Sequence, residues 1–186
     1  MYQLRLIKMV SLTKKLILAS AMVASLSTAA IANDREFARD IDKHVECLAK
    51  NMYFESRNQP FRGMLAVGQV TMNRVSDDRF PDTICEVVEQ GPTSKWWRSK
   101  GKIVPLRNRC QFSWYCDGKS DNIPSQDRDL YSIIRAMAFK IATASWKDIT
   151  YGSTHYHADY VHPEWASSKT QTITVANHIF YRWERK

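Results

Sequence analysis

The amino-acid sequence predicts a mainly α-helical domain (α+β) with a small β or loop subdomain near its carboxyl end. Apolar residues recur at three- and four-residue spacing in several segments before residue 145, which is the period of amphipathic helices. From Thr150 onward the composition changes to aromatic, β-branched and polar residues, with turn signals at Gly152 and Pro163. We see no internal repeat, and the length after the leader described below suits one compact domain.

Four helices are predicted in order along the chain. The apolar positions of the first are Phe37, Ile41, Val45, Leu48 and Met52. The second follows Pro60, with Gly68 as a small-residue contact among Met64, Leu65, Met72 and Val75. The third runs from Pro81 to Glu89, with Asp82 or Thr83 near its start and Gly91 after its end. The last has the strongest period, at Leu130, Ile133, Ile134, Met137, Ile141 and Ala144.

Two further segments are predicted to be non-helical. The stretch from Gly91 to Asp127 is long and irregular, and it contains Trp96, Trp97 and Trp114. Long aromatic loops on a compact domain usually have a function. Thr170 to Tyr181 is expected to be extended or short mixed structure.

Residues 1–32 are predicted to be a signal peptide. They contain four basic residues and no acidic one, followed by an apolar run from Leu16 to Leu26 that is short for a bilayer-spanning helix. Ala30-Ile31-Ala32 has the small-x-small pattern of a cleavage site, so we expect the mature domain to be residues 33–186, periplasmic or extracellular. The alternatives are a start at Met9, an uncleaved signal anchor, and a buried amphipathic helix.

Charge and cysteine content agree with an exported protein. The chain has a formal charge of +8, of which about +4 remains without the leader, a modest excess that argues against nucleic acid and suits an anionic polymer such as a cell wall. An even number of cysteines in an exported domain predicts two disulfides. Cys110 with Cys116 would leave Cys47 with Cys85, but three pairings are possible, and a zinc site is the competing interpretation.

Glu55 is the candidate catalytic residue. It lies among bulky apolar neighbours in Met52-Tyr53-Phe54-Glu55-Ser56-Arg57, where the first helix gives way to a loop. Burial against aromatic groups raises the pKa of a glutamate and keeps a proton available at neutral pH. The structural alternative is a helix-terminal glutamate that pairs with Arg57.

Several spaced motifs resemble the SleB and CwlJ type of cell-wall hydrolases, from about Cys47 to Trp183. The motifs are Tyr53-Phe54-Glu55-Ser56-Arg57, Asn73-Arg74-Val75, Phe80-Pro81-Asp82-Thr83-Ile84-Cys85, Cys110-Gln111-Phe112-Ser113-Trp114-Tyr115-Cys116-Asp117-Gly118, Thr154-His155-Tyr156-His157-Ala158, Val161 with Pro163, Trp165-Ala166, and Asn177-His178-Ile179-Phe180-Tyr181. The resemblance implies a lysozyme-like, lytic-transglycosylase-like fold with Glu55 as the single catalytic glutamate. The family usually has Ala at the position of Ser56, and Thr93 to Arg109 looks like an insertion.

The activity implied is cleavage of peptidoglycan between N-acetylmuramic acid and N-acetylglucosamine. A two-carboxylate glycosidase would need a partner for Glu55, and the candidates Asp117, Asp159 and Glu164 lie in predicted loops. A lytic transglycosylase needs one carboxylate, because the 6-hydroxyl of the sugar attacks and gives a 1,6-anhydro product. We predict the transglycosylase, with a lysozyme-type muramidase as the alternative.

Other motif residues are expected to shape the substrate groove. Gln111, Ser113 and Tyr156 offer hydrogen bonds to sugar hydroxyls and acetamides, and Trp114 and Trp165 offer rings for stacking on pyranose faces. His157 is also expected to line the substrate groove. Packing is the alternative for each of them, and it is our prediction for Phe112 and Phe180.

Two rival classes differ from a glycosidase. His155, His157 and His162 suggest a zinc-dependent amidase or peptidase, since alternate residues of a strand point to one face. The chain has no H-E-x-x-H helix, so we expect no metal and no cofactor. A non-catalytic wall-binding module is the other rival. The expected partner is the peptidoglycan strand, with the membrane involved only through an uncleaved leader and the protein a monomer.

Overall fold

The computed structural model describes residues 33–143 and 145–184. The chain divides into two compact units, Met1–Asp42 and Lys43–Lys186. In the first unit, residues 33–42 are helical, and the predicted signal peptide lies outside the described residues. The described part contains no helix with the length and apolar character needed to cross a bilayer.

The second unit is mainly helical, which confirms the predicted fold class. Its helices are α1 (residues 43–56), α2 (Phe61–Val75), α3 (Ile84–Val88), α4 (Lys95–Arg98) and α5 (Arg128–Ala142). Short 3-10 turns lie at Ser113–Cys116, Ser125–Asp127 and Glu164–Ser168. The four predicted helices are all present, and Ala144, the last predicted apolar position, lies outside the described residues.

Side-chain caps explain where the two shortest helices begin. The Thr83 hydroxyl accepts a hydrogen bond from the Glu86 amide, as expected of an N-cap, and this confirms one of the two predicted starts of α3. α3 ends at Val88, so it is shorter than the predicted segment. α4 was not predicted; Ser94 caps it, and it lies within the segment that was expected to be irregular.

α2 is the central element of the fold. Every residue from Gly63 to Thr71 is buried, so the helix is covered on all sides rather than on one face. Gly68 permits this close packing, because a Cβ atom there would lie 2.8 Å from both Met52 Sδ and Ile141 Cδ1. The predicted small-residue contact is therefore confirmed: at Gly68, α2 packs closely against both α1 and α5.

The subdomain after α5 is a three-stranded antiparallel sheet in the order β1-β3-β2. Its strands are β1 (His155–Ala158), β2 (Thr170–Val175) and β3 (His178–Arg182). In the register, Tyr156 pairs with Phe180, and a bulge interrupts β2 between Gln171 and Ile173. Residues of α2 and the sheet share a core, Ala66, Val70, Val175 and Phe180.

Two disulfides are present, one between two helices and one within the irregular segment. Cys47–Cys85 joins α1 to α3, and Cys110–Cys116 closes a loop around the first 3-10 turn. Gly91 approaches the second disulfide so closely that a Cβ atom would lie 3.0 Å from the Cα of Cys110. The pairing is the one that the short Cys110 to Cys116 loop suggested.

Candidate active site

Glu55 lies in the last turn of α1, and its carboxylate accepts a hydrogen bond from the Tyr156 hydroxyl at 3.0 Å. The side chain is partly buried. Arg57, the alternative partner considered from the sequence, instead places its guanidinium 5.0 Å from the centroid of the Tyr53 ring. The neighbouring Ser56 is fully buried, and its hydroxyl donates to the Met52 carbonyl at 2.7 Å, so the α1 backbone satisfies the added oxygen.

Burial raises the pKa of the Glu55 carboxyl above its ordinary value. The hydrogen bond from Tyr156 and the positive charge of Arg74 act in the opposite direction, because both stabilise the carboxylate. The side chain therefore has an environment that favours the protonated acid, together with two groups that stabilise the anion formed when the proton leaves.

Tyr156 reaches Glu55 because of the strand alternation in β1. Side chains of successive strand residues point to opposite faces, and the ring of Tyr156 packs against the core shared by α2 and the sheet. Its centroid lies 5.6 Å from that of Phe180. Burial raises the pKa of the Tyr156 phenol well above its ordinary value, so the hydroxyl remains a hydrogen-bond donor to Glu55.

A polar edge of α2 holds the loop that leads into β1. Gln69 Nε2 donates to the Lys147 carbonyl at 2.9 Å, and Gln69 Oε1 accepts from the Ile149 amide at 2.9 Å. One turn later, Asn73 Nδ2 donates to Thr150 Oγ1 and to the Ser153 carbonyl, each at 3.0 Å. These bonds fix the start of β1 on α2, and thereby the position of Tyr156.

Arg74 is a buried cation beside the candidate acid. It is 2% exposed, and its Nε donates to the Thr154 carbonyl at 2.7 Å. Burial lowers the pKa of Arg74 to about 10, while Tyr156 and Glu55 act to raise it, so the guanidinium is positive at neutral pH. Nη1 of Arg74 is buried and has no hydrogen-bond partner among the described residues. Arg74 belongs to the Asn73-Arg74-Val75 motif, but its sequence pattern predicted no role for it.

The loop closed by Cys110–Cys116 contacts both α1 and Arg74. The Trp114 ring stacks on Phe54 with centroids 4.7 Å apart, and its indole nitrogen donates to Asn51 Oδ1 at 3.0 Å. Phe112 is buried, as predicted, and lies 5.1 Å from the Arg74 guanidinium. The loop therefore places Trp114 one helical turn from Glu55.

Gln111 and Ser113 are exposed on the same loop. Gln111 lines an open cleft of about 540 Å³ together with Gln90, Gly91, Pro92, Arg109 and Cys110. The predicted sugar contacts of these two side chains stay predictions, because the structure shows only that they are accessible.

The other face of β1 presents His155 and His157, which confirms that the two histidines share a face. Their ring centroids lie 5.3 and 5.7 Å from that of Trp165. His157 Nε2 is 3.0 Å from the Tyr181 hydroxyl, and its Nδ1 is 2.8 Å from a backbone carbonyl oxygen. The structure thus brings His157 and Trp165 together, but on the face opposite to the Tyr156 side chain, and their predicted contact with substrate remains a prediction.

The histidines were also the basis of the zinc hypothesis. Burial, followed by the charge of Arg74, lowers the pKa of His155 to about 4, so this ring is neutral at neutral pH. His162 is exposed. Within residues 33–143 and 145–184, no group of three or more His, Cys, Asp or Glu side chains is arranged to hold a metal ion.

Comparison with known proteins identifies the family. The profile of the Cell Wall Hydrolase family matches residues 58–181, two thirds of the chain, and the chain belongs to this family. The match begins just after Glu55. Family membership confirms the resemblance that the motifs indicated.

Individual relatives are distant. A spore cortex-lytic enzyme of Halalkalibacterium halodurans is 24% identical over 140 residues, which are 75% of this chain and only 34% of the relative, so the chain spans about a third of its length. The solved catalytic domain of the germination-specific lytic transglycosylase SleB from Bacillus anthracis is 23% identical, with a TM-score of 0.48 over 75% of this chain and 93% of that domain. The SleB catalytic domain from Bacillus cereus is 22% identical, with a TM-score of 0.48 over 75% of this chain and 89% of that domain.

Proposed function

We propose that this family member is a peptidoglycan-cleaving lytic transglycosylase in which Glu55 acts first as acid and then as base. The observation on which the proposal rests is the hydrogen bond from Tyr156 to Glu55, a carboxyl group whose pKa is raised by burial. The names of the relatives, a spore cortex-lytic enzyme and a lytic transglycosylase, support the substrate class.

In the first step, protonated Glu55 donates its proton to the oxygen that joins N-acetylmuramic acid to N-acetylglucosamine. The bond between that oxygen and C1 of the muramic acid breaks, and negative charge develops on Glu55 as the sugar gains oxocarbenium character. The Tyr156 hydroxyl and the Arg74 guanidinium stabilise this charge without rearranging, because hydrogen bonds already hold both side chains in place.

In the second step, the Glu55 carboxylate removes the proton from the 6-hydroxyl of the same muramic acid. The 6-oxygen bonds to C1, which closes the 1,6-anhydro ring, and Glu55 is protonated again for the next cycle. A single carboxylate therefore suffices. Two other acids were candidates for a second carboxylate. Asp117 Oδ2 lies 3.8 Å from Lys119 Nζ, and Glu164 is exposed.

Trp114 is proposed to contact the glycan near the scissile bond, because it is fixed on α1 one turn from Glu55. Exposed Gln111 and Ser113 would extend this contact along the loop. We further propose that residues 33–186 act outside the cytoplasm after removal of the leader, since two disulfides are typical of an oxidising compartment.

The test is digestion of purified peptidoglycan by the parent protein and by Glu55→Gln, with mass spectrometry of the fragments. Glu46→Gln is the matched control, because Glu46 is also on α1 and also accepts a tyrosine hydroxyl, that of Tyr131 at 2.8 Å. We expect anhydro-muramyl products from the parent and the control, and none from Glu55→Gln.

Three other outcomes would contradict the proposal. Reducing muramic ends that disappear with Glu55 would indicate a lysozyme-type muramidase. Glycan strands that lose only their peptides, with activity removed by a chelator and restored by zinc, would indicate a metal-dependent amidase that uses the histidines. Binding without turnover would indicate a wall-binding module.

A further inference from the structure

Residues 93–105 form a closed arm that the proposed catalytic site does not use. At its base, Thr93 and Pro105 form an antiparallel bridge, the Ser94 amide donates to the Val104 carbonyl, and the Leu106 amide donates to the Pro92 carbonyl. The tip of the arm is residues 95–103, which comprises α4 and the turn after it. The base therefore holds α4 and the following turn next to each other.

The tip exposes large apolar side chains to solvent. Trp96 is 56% exposed and Ile103 is 84% exposed, and at the base Leu106 is 40% exposed. Removing such side chains from water is favourable, because their apolar surface is then buried. Exposure of several of them on one short arm is typical of a surface that meets a partner.

The arm and its flanks are also strongly basic. No acidic residue lies between Glu89 and Asp117 in the sequence. The basic residues of this stretch are all exposed, namely Lys95, Arg98, Lys100, Lys102, Arg107 and Arg109. The partner is therefore expected to be anionic as well as apolar.

The ring faces of Trp96 and Trp97 help to distinguish two possible anionic partners, a glycan and a phospholipid surface. Lys100 Nζ lies 4.3 Å from the centroid of the Trp96 ring, and Lys102 Nζ lies 5.3 Å from that of Trp97. Each ring therefore has a lysine over one of its two faces, which leaves less open ring surface for a sugar to stack on. Ile103, the most exposed apolar side chain of the arm, has no flat face to offer a sugar and is suited to hydrocarbon.

We propose that residues 93–105 dock on the surface of an anionic phospholipid bilayer. Trp96 and Ile103 enter the boundary between headgroups and acyl chains, and the lysines remain at the phosphates, since lysine stems extend a charge away from a buried apolar surface. Docking by this arm would hold the enzyme against the membrane that borders its substrate.

The test measures binding of the full chain to vesicles of phosphatidylglycerol and phosphatidylcholine, against vesicles of phosphatidylcholine alone. A basic residue near an anionic surface contributes about fivefold to binding, so Lys100→Gln/Lys102→Gln is expected to weaken binding about 25-fold. Ile103→Ser is expected to weaken it about tenfold. All variants retain residues 1–32, so any contribution of that segment is common to the comparison.

Matched controls exist on α5 and in the loop after it. Ile133 is also exposed, at 56%, and Lys140 Nζ lies 5.4 Å from the Trp146 ring centroid, as the arm lysines lie over theirs. Ile133→Ser and Lys140→Gln/Lys147→Gln are expected to change binding less than threefold, with unchanged unfolding midpoints in all variants, because the substituted side chains are exposed.

Equal binding to charged and neutral vesicles, or equal effects of the arm variants and the controls, would overturn the proposal. Arm variants that bind vesicles normally but lose binding to isolated peptidoglycan would also overturn it and assign the arm to the glycan. None of these results depends on catalysis, so they are distinguishable from failure of the proposed activity.

Discussion

Tyr156→Phe tests the electrostatic role of the hydroxyl that contacts Glu55. The substitution removes a 3.0 Å hydrogen bond to the carboxylate and leaves the ring against Phe180. A hydrogen bond to a charged group contributes about 1.5–3 kcal/mol. Because Glu55 becomes an anion as it delivers its proton, we expect turnover of peptidoglycan to fall about 10- to 150-fold.

The pH dependence provides a second readout of the same substitution. Burial raises the pKa of Glu55 and the Tyr156 hydrogen bond lowers it, so removal of the hydroxyl raises the pKa further. Activity that requires protonated Glu55 is lost as pH rises through this pKa, and the alkaline limb of the rate profile is expected to move to higher pH. Tyr131→Phe, which loses the equivalent bond to Glu46, is the control. Parent-like turnover with an unmoved alkaline limb would refute the reasoning.

Three further predictions concern stability. Burial raises the folded-state pKa of Glu55, so the stability associated with the protonated group is fully present below the unfolded pKa and is lost as pH rises through the folded pKa. Glu55→Gln should therefore gain in free energy of unfolding relative to the parent as pH rises, and urea unfolding that gives equal differences at roughly pH 4 and roughly pH 8 would contradict this. Cys47→Ser/Cys85→Ser opens a loop with a sequence separation of 38 and should cost about 4 kcal/mol in denaturant unfolding, whereas a loss below about 1 kcal/mol would not fit the chain-entropy argument. Asn73→Ala removes donors to the loop before β1 and should cost about 2 kcal/mol together with part of the turnover, and a stable variant with full activity would show that the loop is held by other contacts.

The sequence predicted the helices well, because their signals are local. Apolar spacing identified α1, α2 and α5, Thr83 was one of two predicted starts of α3, and Gly68 was recognised as a packing contact. α4 was missed because a helix of four residues has too few positions to show a period.

The candidate site was only partly predictable. Motif resemblance selected Glu55 as the candidate catalytic residue, and this role stays a prediction. Strand alternation predicted that His155 and His157 share a face, as the structure shows. Arg74 was missed, because an arginine near the end of a helix is usually solvated. The signal that could have found it is its place in the Asn73-Arg74-Val75 motif.

Sequence alone determined the helical periods and the alternation in β1, since both depend on neighbours a few residues apart. It also determined the excess of positive charge and the set of four cysteines, which are properties of composition. The tertiary structure decided which face of β1 meets α1. Tyr156 and Glu55 are 101 residues apart. Their contact depends on how the sheet packs on α2 through the shared core, and on the loop before β1 that Gln69 and Asn73 hold. Packing of this kind is a collective property of the buried surface, so no local pattern specifies that Tyr156 rather than His157 reaches the glutamate.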